Sequence, residues 1–222
     1  MKRIGLVVIF LLFSQAALAV ENTGFYFGVC GGYVIPQAVT LDDQYDTETG
    51  FDVKLKNGGM IGLTSGWINP FTNNIMAMEL EYNYIFGTDL DPSKAVDGWG
   101  YFDGTINIHA FLFNIKARYP NGPVHPYAGI GLGYSFFQLG EVTGRDSEGS
   151  VIFRGQGLSG GGLTYQLLAG VDFDITRNLS LGVGYKYFVT RPSLGSEGPG
   201  YRVDVDSDYR ASIVTAGLTY TF

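Results

Sequence analysis

The chain is dominated by strict alternation of large apolar residues with small, polar or charged ones. The stretch LTYQLLAGVDFDI (163–175) puts Leu163, Tyr165, Leu167, Ala169, Val171 and Phe173 in one phase. Thr164, Gln166, Leu168, Gly170, Asp172 and Asp174 take the other. A two-residue period belongs to β-strands, whose successive side chains point to opposite faces. IMAMELEYNYIF sets Met76, Met78, Leu80, Tyr82 and Tyr84 against Glu79, Glu81 and Asn83. PYAGIGLGYSFF sets Ala128, Ile130, Leu132, Tyr134 and Phe136 against Gly129, Gly131, Gly133 and Ser135. LSLGVGYKYFV sets Leu179, Leu181, Val183, Tyr185 and Tyr187 against Ser180, Gly182, Gly184 and Lys186. A soluble sandwich would alternate in the same way, so further features must decide the class.

Strands are predicted at 23–36, 53–67, 75–87, 104–118, 124–140, 163–174, 179–190 and 209–222. Four long connections (37–52, 88–103, 141–162, 191–208) alternate with three short ones (68–74, 119–124, 176–178). This is the rhythm of an up-and-down meander with two unlike ends, as in outer-membrane barrels with short periplasmic turns and long external loops. Most of the segments exceed the ~9–11 residues that a tilted strand needs to cross a bilayer. The long connections hold 16 of the 21 acidic residues, which leaves the strands nearly free of outward charge. The expected fold is therefore an all-β, eight-stranded antiparallel transmembrane β-barrel with four long external loops and three short periplasmic turns. Closure follows from physics, because an unpaired sheet edge in lipid would cost several kcal/mol per backbone group. The terminal segment SIVTAGLTYTF then pairs with GFYFGVCGGYVIP.

The N-terminus has the three parts of a secretory signal. Lys2 and Arg3 precede an apolar core at 4–13, and Ala17 and Ala19 place cleavage before Val20. The domain reading is a signal peptide at 1–19 and a barrel at 20–222. Removing Lys2 and Arg3 takes the formal net charge from −7 to −9, which argues against nucleic acid as a partner. Cys30 is the single cysteine, so an intramolecular disulfide is excluded.

An eight-stranded barrel has an interior that side chains can fill. Glycines share the inward phase with Glu79, Glu81, Lys116, Arg118, Asp172, Asp174 and Lys186. Buried charges persist only when paired, so a luminal network of Glu79, Glu81, Lys116, Arg118, Asp172 and Lys186 is expected. Glu79, Glu81, Lys116 and Arg118 should lie at one level on adjacent strands. The network is read first as self-satisfying, with an ion gate as the alternative. In GTINIHAFLFNIKAR, Asn107 and His109 oppose Asn114, Lys116 and Arg118 in phase. A bulge near Phe111 would turn all five inward. Aromatic girdles are expected at both ends: Trp67, Phe71, Tyr119, Tyr220 and Phe222 at the short turns, and Tyr33, Phe86, Phe136, Phe137 and Tyr187 at the long loops.

Catalytic chemistry finds little support. His125 lies in a short turn and reads as a bystander. His109 facing the lumen near Ser135 lacks a third group to orient it as a base. GIGLG (129–133) is strand glycine with no helix to follow. DVDSD (204–208) and DLD (89–91) read as solvated acidic loop, since the glycine and distal glutamate of a calcium loop are missing. Weak divalent binding toward lipopolysaccharide phosphates is the alternative. No catalytic residue, metal ligand or cofactor is assigned.

These residues resemble a family: the small outer-membrane β-barrel proteins of Gram-negative bacteria, OmpA-like and opacity-protein-like, often called the porin family. The resemblance rests on GFYFGVCGGY, MELEYNYIFG, HPYAGIGLGYSFF, YQLLAGVDFDITRNLSLGVGYKYF and TAGLTYTF, and covers 20–222. It implies location in the outer membrane and insertion by the outer-membrane assembly machinery. That machinery reads a last strand matched here by Leu218, Tyr220 and Phe222. The expected partners are outer-membrane lipid and lipopolysaccharide, for a monomeric, non-enzymatic surface protein serving membrane integrity, adhesion or antigenicity. A narrow solute channel is the alternative, and a barrel enzyme acting on lipid or peptide ranks below it. Motifs like those of barrel lipid A deacylases and omptin-like proteases are missing, and no peptidoglycan-binding domain follows the barrel in this sequence.

Overall fold

The computed structural model describes residues 24–37, 39–41, 51–53, 55–90, 101–145, 150–155, 157–198, 201–206 and 208–222. The expected signal segment lies outside them. Eight long strands build the fold: β1 (Phe25–Pro36), β2 (Gly58–Ile68), β3 (Met76–Phe86), β4 (Ile106–Arg118), β5 (Val124–Leu139), β6 (Leu158–Asp174), β7 (Leu179–Gly198) and β8 (Tyr209–Thr221). Every neighbour in sequence is an antiparallel neighbour in space, and β1 pairs with β8 from Tyr26↔Thr221 to Pro36↔Ala211. The sheet is therefore a closed eight-stranded barrel. No helix among the described residues is long and apolar enough to cross a membrane; the crossing elements are strands.

The alternation sorts side chains as its period requires. Leu167 is 54% exposed while the adjacent Leu168 is 6% exposed. Leu132, Leu163 and Ile130 lie on the outer wall with exposures above half. An apolar band of this extent would be an aggregation surface in water, and lipid is the solvent that suits it.

Three predicted boundaries shift by five residues or more. The second strand begins at Gly58 instead of 53, the sixth begins at Leu158, and the seventh continues to Gly198. Glycines 160–162, assigned to a loop by composition, are in β6 and pair with β5 and β7. At Gly162 a Cβ would collide with the backbone carbonyl of Arg191, so glycine is here a close-approach residue within a strand. The overrun of β7 pairs with Tyr201–Asp206, which carries the hairpin beyond the barrel rim. Further short strands lie in the long connections: Val39–Leu41 with Phe51–Val53, and Val142–Arg145 between Tyr101–Asp103 and Val151–Gly155.

The bulge expected near Phe111 is not formed. β4 pairs with β3 and β5 in unbroken register through that position. Asn107 and His109 consequently face outward, and Asn114, Lys116 and Arg118 face inward. The polar pair is accommodated because it sits at the long-loop end of the strand, where the outer wall leaves the apolar band.

At the β2–β3 turn, the Asn69 side chain accepts from the Phe71 amide at 2.9 Å. Asn73 and Asn74 then take left-handed φ values of 53° and 60°, which asparagine tolerates better than most residues. This turn is short and closed by its own side chains, as suits the periplasmic end.

Candidate functional site

The lumen is layered. Nearest its middle lies an ion-pair layer assembled from five strands. Glu79 of β3 accepts from Tyr26 Oη at 2.9 Å, Asn114 Nδ2 at 2.9 Å and Lys116 Nζ at 2.6 Å. Glu81 accepts from Asn114 Nδ2 at 2.6 Å and Gln166 Nε2 at 2.9 Å, and also from Asn83 Nδ2 and Lys186 Nζ. Gln166 Nε2 also donates to Asn114 Oδ1 at 2.8 Å. Two carboxylates thus face two ammonium groups, and each carboxylate has at least three donors. The layer is charge-neutral, as burial demands. The Lys116 ammonium also lies 5.4 Å from the Tyr26 ring centre and 5.0 Å from that of Tyr127, within cation–π range.

The inward glycines make this layer fit. A Cβ on Gly131 would overlap Asn114 Oδ1, and one on Gly66 would run into the Tyr26 ring. The small residues of the alternation therefore clear space for long polar side chains from neighbouring strands.

The six residues expected to form one network separate into two groups. Glu79, Glu81, Lys116 and Lys186 form the two ion pairs. Lys186 reaches Glu81 across the lumen from β7, not from the adjacent strand. Arg118 sits one inward step nearer the short turns than Lys116, in register with Tyr127. It shares no level with Glu81, so the four-residue cluster on adjacent strands is not formed. Arg118 and Asp172 instead line a cavity of about 100 Å³ beneath the layer, together with Cys30, Thr64 and Thr215. Among the described residues they form no ion pair with each other.

His125 is not a bystander. It is 5% exposed. Its Nδ1 lies 2.8 Å from the Tyr119 carbonyl and its Nε2 lies 2.9 Å from Asp174 Oδ2. Asp174 also accepts from Ser180 Oγ at 2.7 Å. The imidazole thus ties the β4–β5 turn to the end of β6 and the start of β7. The sequence hides this because the partners are 49 residues apart.

On the long-loop side the lumen is apolar, which the sequence reading missed. Val34, Met60, Ile85, Ile108, Leu112, Phe137, Phe188, Ala211 and Ile213 are buried together with Tyr209. Tyr209 packs edge-on against Phe137 at 5.9 Å and Phe188 at 6.3 Å. The signal was present: these residues hold the inward phase of their strands, which turns from charged and glycine to large apolar beyond Asn83 and Asn114. Phe137, assigned to the external girdle, belongs to this plug, because adjacent strand residues cannot both face lipid. His109 and Ser135 are separated by the wall itself. Ser135 meets Thr164 inside at 2.6 Å, while His109 Nδ1 meets Tyr82 Oη outside at 2.9 Å. The acidic motifs lie partly outside the described residues. Of their remainder, Asp89 accepts from the Ile106 amide, and Asp208 faces Arg191 and Arg210.

The outer wall carries aromatics at both ends. Phe25 and Trp67 meet at 6.4 Å at the short-turn end, where Phe222 packs edge-on against Phe27 at 5.9 Å and Tyr220 at 5.1 Å. The Phe222 amide donates to the Phe25 carbonyl at 3.0 Å, which ties the last residue to the first strand. Toward the loops, outward Tyr82, Tyr84 and Tyr185 bond His109, Asn107 and Ser212 on adjacent strands. A model of the outer membrane protein beta-barrel domain matches residues 5–222. The chain belongs to this family of outer-membrane β-barrel proteins. Its place is accordingly the outer membrane.

Solved structures agree in fold. Neisserial surface protein A is similar at 16% identity, over 91% of this chain and 100% of that one, with a TM-score of 0.51. The outer membrane protein OprG from Pseudomonas aeruginosa is similar at 15% identity, over 91% and 98%, with a TM-score of 0.51. The outer membrane protein AlkL is similar at 14% identity, over 92% of each chain, with a TM-score of 0.55. Identities this low speak for the barrel alone. No curated protein matches the chain by sequence.

Proposed function

We propose that this outer-membrane barrel is a non-enzymatic surface protein that works through its external segments, with the barrel as a closed membrane anchor. The observation that carries this reading is the apolar plug. It packs Phe137, Phe188 and Tyr209 together on the long-loop side of the lumen, above a charge-neutral layer, and on this reading it closes the interior to water. The outward reach of β7 and its hairpin partner supports the same reading, because it raises structure above the membrane where a surface contact would be made. Ser135 and His109, the pair weighed as nucleophile and base, lie on opposite faces of the wall.

A narrow channel is the second reading. The cavity beneath the ion-pair layer speaks for it, being lined by charged and hydroxyl side chains and bounded by the layer above. That reading requires the plug to move as well as the ion pairs.

Shortening the external connections to tight turns separates the two. Cells displaying the wild-type barrel should adhere to neighbouring cells or to a glycan-coated surface, and the shortened barrel should lose that adhesion while still inserting. Barrel-dependent uptake of a small sugar that survives the shortening would favour the channel instead.

The closing strand gives a separate expectation about assembly. Deleting Phe222 removes one backbone bond and an aromatic anchor at the β1–β8 seam. Outer-membrane yield should fall severalfold, while barrel that does insert keeps its heat-modifiable folded form. Wild-type yield on quantitative immunoblots of outer-membrane fractions would contradict a role for this residue in insertion.

A further inference from the structure

We propose that Arg191 and Arg210 form a docking site on the outer wall for the phosphate of an outer-leaflet glycolipid. Both side chains are in the outward phase of their strands, on β7 and β8, and are 70% and 49% exposed. Among the described outward-facing side chains of the eight strands they are the only arginines or lysines.

Their height fits a headgroup. From Tyr220 in the short-turn girdle, β8 climbs ten residues to Arg210. That is ~33 Å along the strand, or ~25 Å along the barrel axis at a tilt of ~40°, against an apolar band of ~25 Å. Arg210 therefore emerges where acyl chains give way to headgroups. Arg191 reaches the same rim, since Val189 lies opposite Arg210 and Leu163 opposite Arg191.

The two guanidinium groups are held together by one carboxylate. Asp208 Oδ1 lies 3.0 Å from Arg191 Nε, and Asp208 Oδ2 lies 2.9 Å from a terminal nitrogen of Arg210. The trio carries one net positive charge in a chain whose formal net charge is −7. Guanidinium groups match phosphate oxygens in a fork that ammonium groups lack.

The surroundings choose among anions. Leu163, opposite Arg191, is 68% exposed, and the wall continues toward the membrane through Tyr165 at 42% and Val214 at 49%, while Tyr185 is bonded to Ser212 at 2.8 Å. An occupant must cover apolar wall with hydrocarbon and present an anion immediately above it. A phosphorylated lipid does both, whereas a soluble anion or an acidic peptide does only the second. The proposal is independent of what the external segments bind.

Native mass spectrometry of the detergent-solubilised barrel tests it, with bisphosphorylated lipid A and a phosphate-free lipid A of the same acylation as probes. The wild type should retain the phosphorylated lipid preferentially. The Arg191→Gln/Arg210→Gln variant, checked for heat-modifiable folding, should lose that preference by about tenfold or more. Arg177→Gln, in the β6–β7 turn at the opposite end, should leave it unchanged. Equal retention of both lipids by the wild type would overturn the site. So would undiminished preference in the folded double variant, or an equal loss in Arg177→Gln.

Discussion

Replacing Lys186 by methionine should destabilise the barrel by about 3–5 kcal/mol. Glu81 is 3% exposed, and its carboxylate would be left with amide donors from Asn83, Asn114 and Gln166 but no counter-charge. The loss is larger than a surface ion pair could give, since those are worth ~0–1 kcal/mol. Pairing the change with Glu81→Gln should restore most of the stability, because a neutral amide can remain bonded to Asn114 and Gln166. Denaturant unfolding in lipid vesicles measures both variants. A single variant as stable as the wild type, or a double variant with the summed loss of the two singles, would show that these charges are not coupled.

Trimming Phe188 to alanine should cost about 3–5 kcal/mol, the range for emptying a packed aromatic site. Phe188 is fully buried, lies opposite Gln166 and Ala211 in the sheet, and packs against Tyr209. Phe188→Leu should lose markedly less, since it refills most of the volume. The same unfolding assay reads both. A loss below 1 kcal/mol in Phe188→Ala would mean that the plug is loosely packed, which would weaken the case for a sealed lumen.

The barrel was legible because its cause is local. Period-2 alternation fixes which face each side chain takes, and the alternation of long and short connections fixes an up-and-down order. Closure follows from the cost of an open edge in lipid. The strand ends of β6 and β7 were misread because Gly160, Gly161 and Gly162 are loop residues by composition, whereas their space is set by neighbouring strands. The lumen was legible only as a set of inward residues. Which glutamate meets which lysine depends on shear and on reach across the interior, so Glu79–Lys116 between adjacent strands was visible and Glu81–Lys186 was not. The displaced Arg118, the His125–Asp174 contact and the outward His109 all follow from register, which one unbroken strand decides. The plug was overlooked for a different reason. Apolar residues such as Val34, Ile85, Ile108 and Ile213 match the general composition of a membrane protein, and only their inward phase marks them as lumen-filling.

Single-channel recording of the purified wild-type barrel in a planar bilayer tests the central claim most directly. A sealed lumen predicts a flat baseline with no conductance steps across either polarity, in protein shown to be inserted and folded. Steady, protein-dependent conductance through the wild type would contradict it, and would transfer the function from the external segments to the interior.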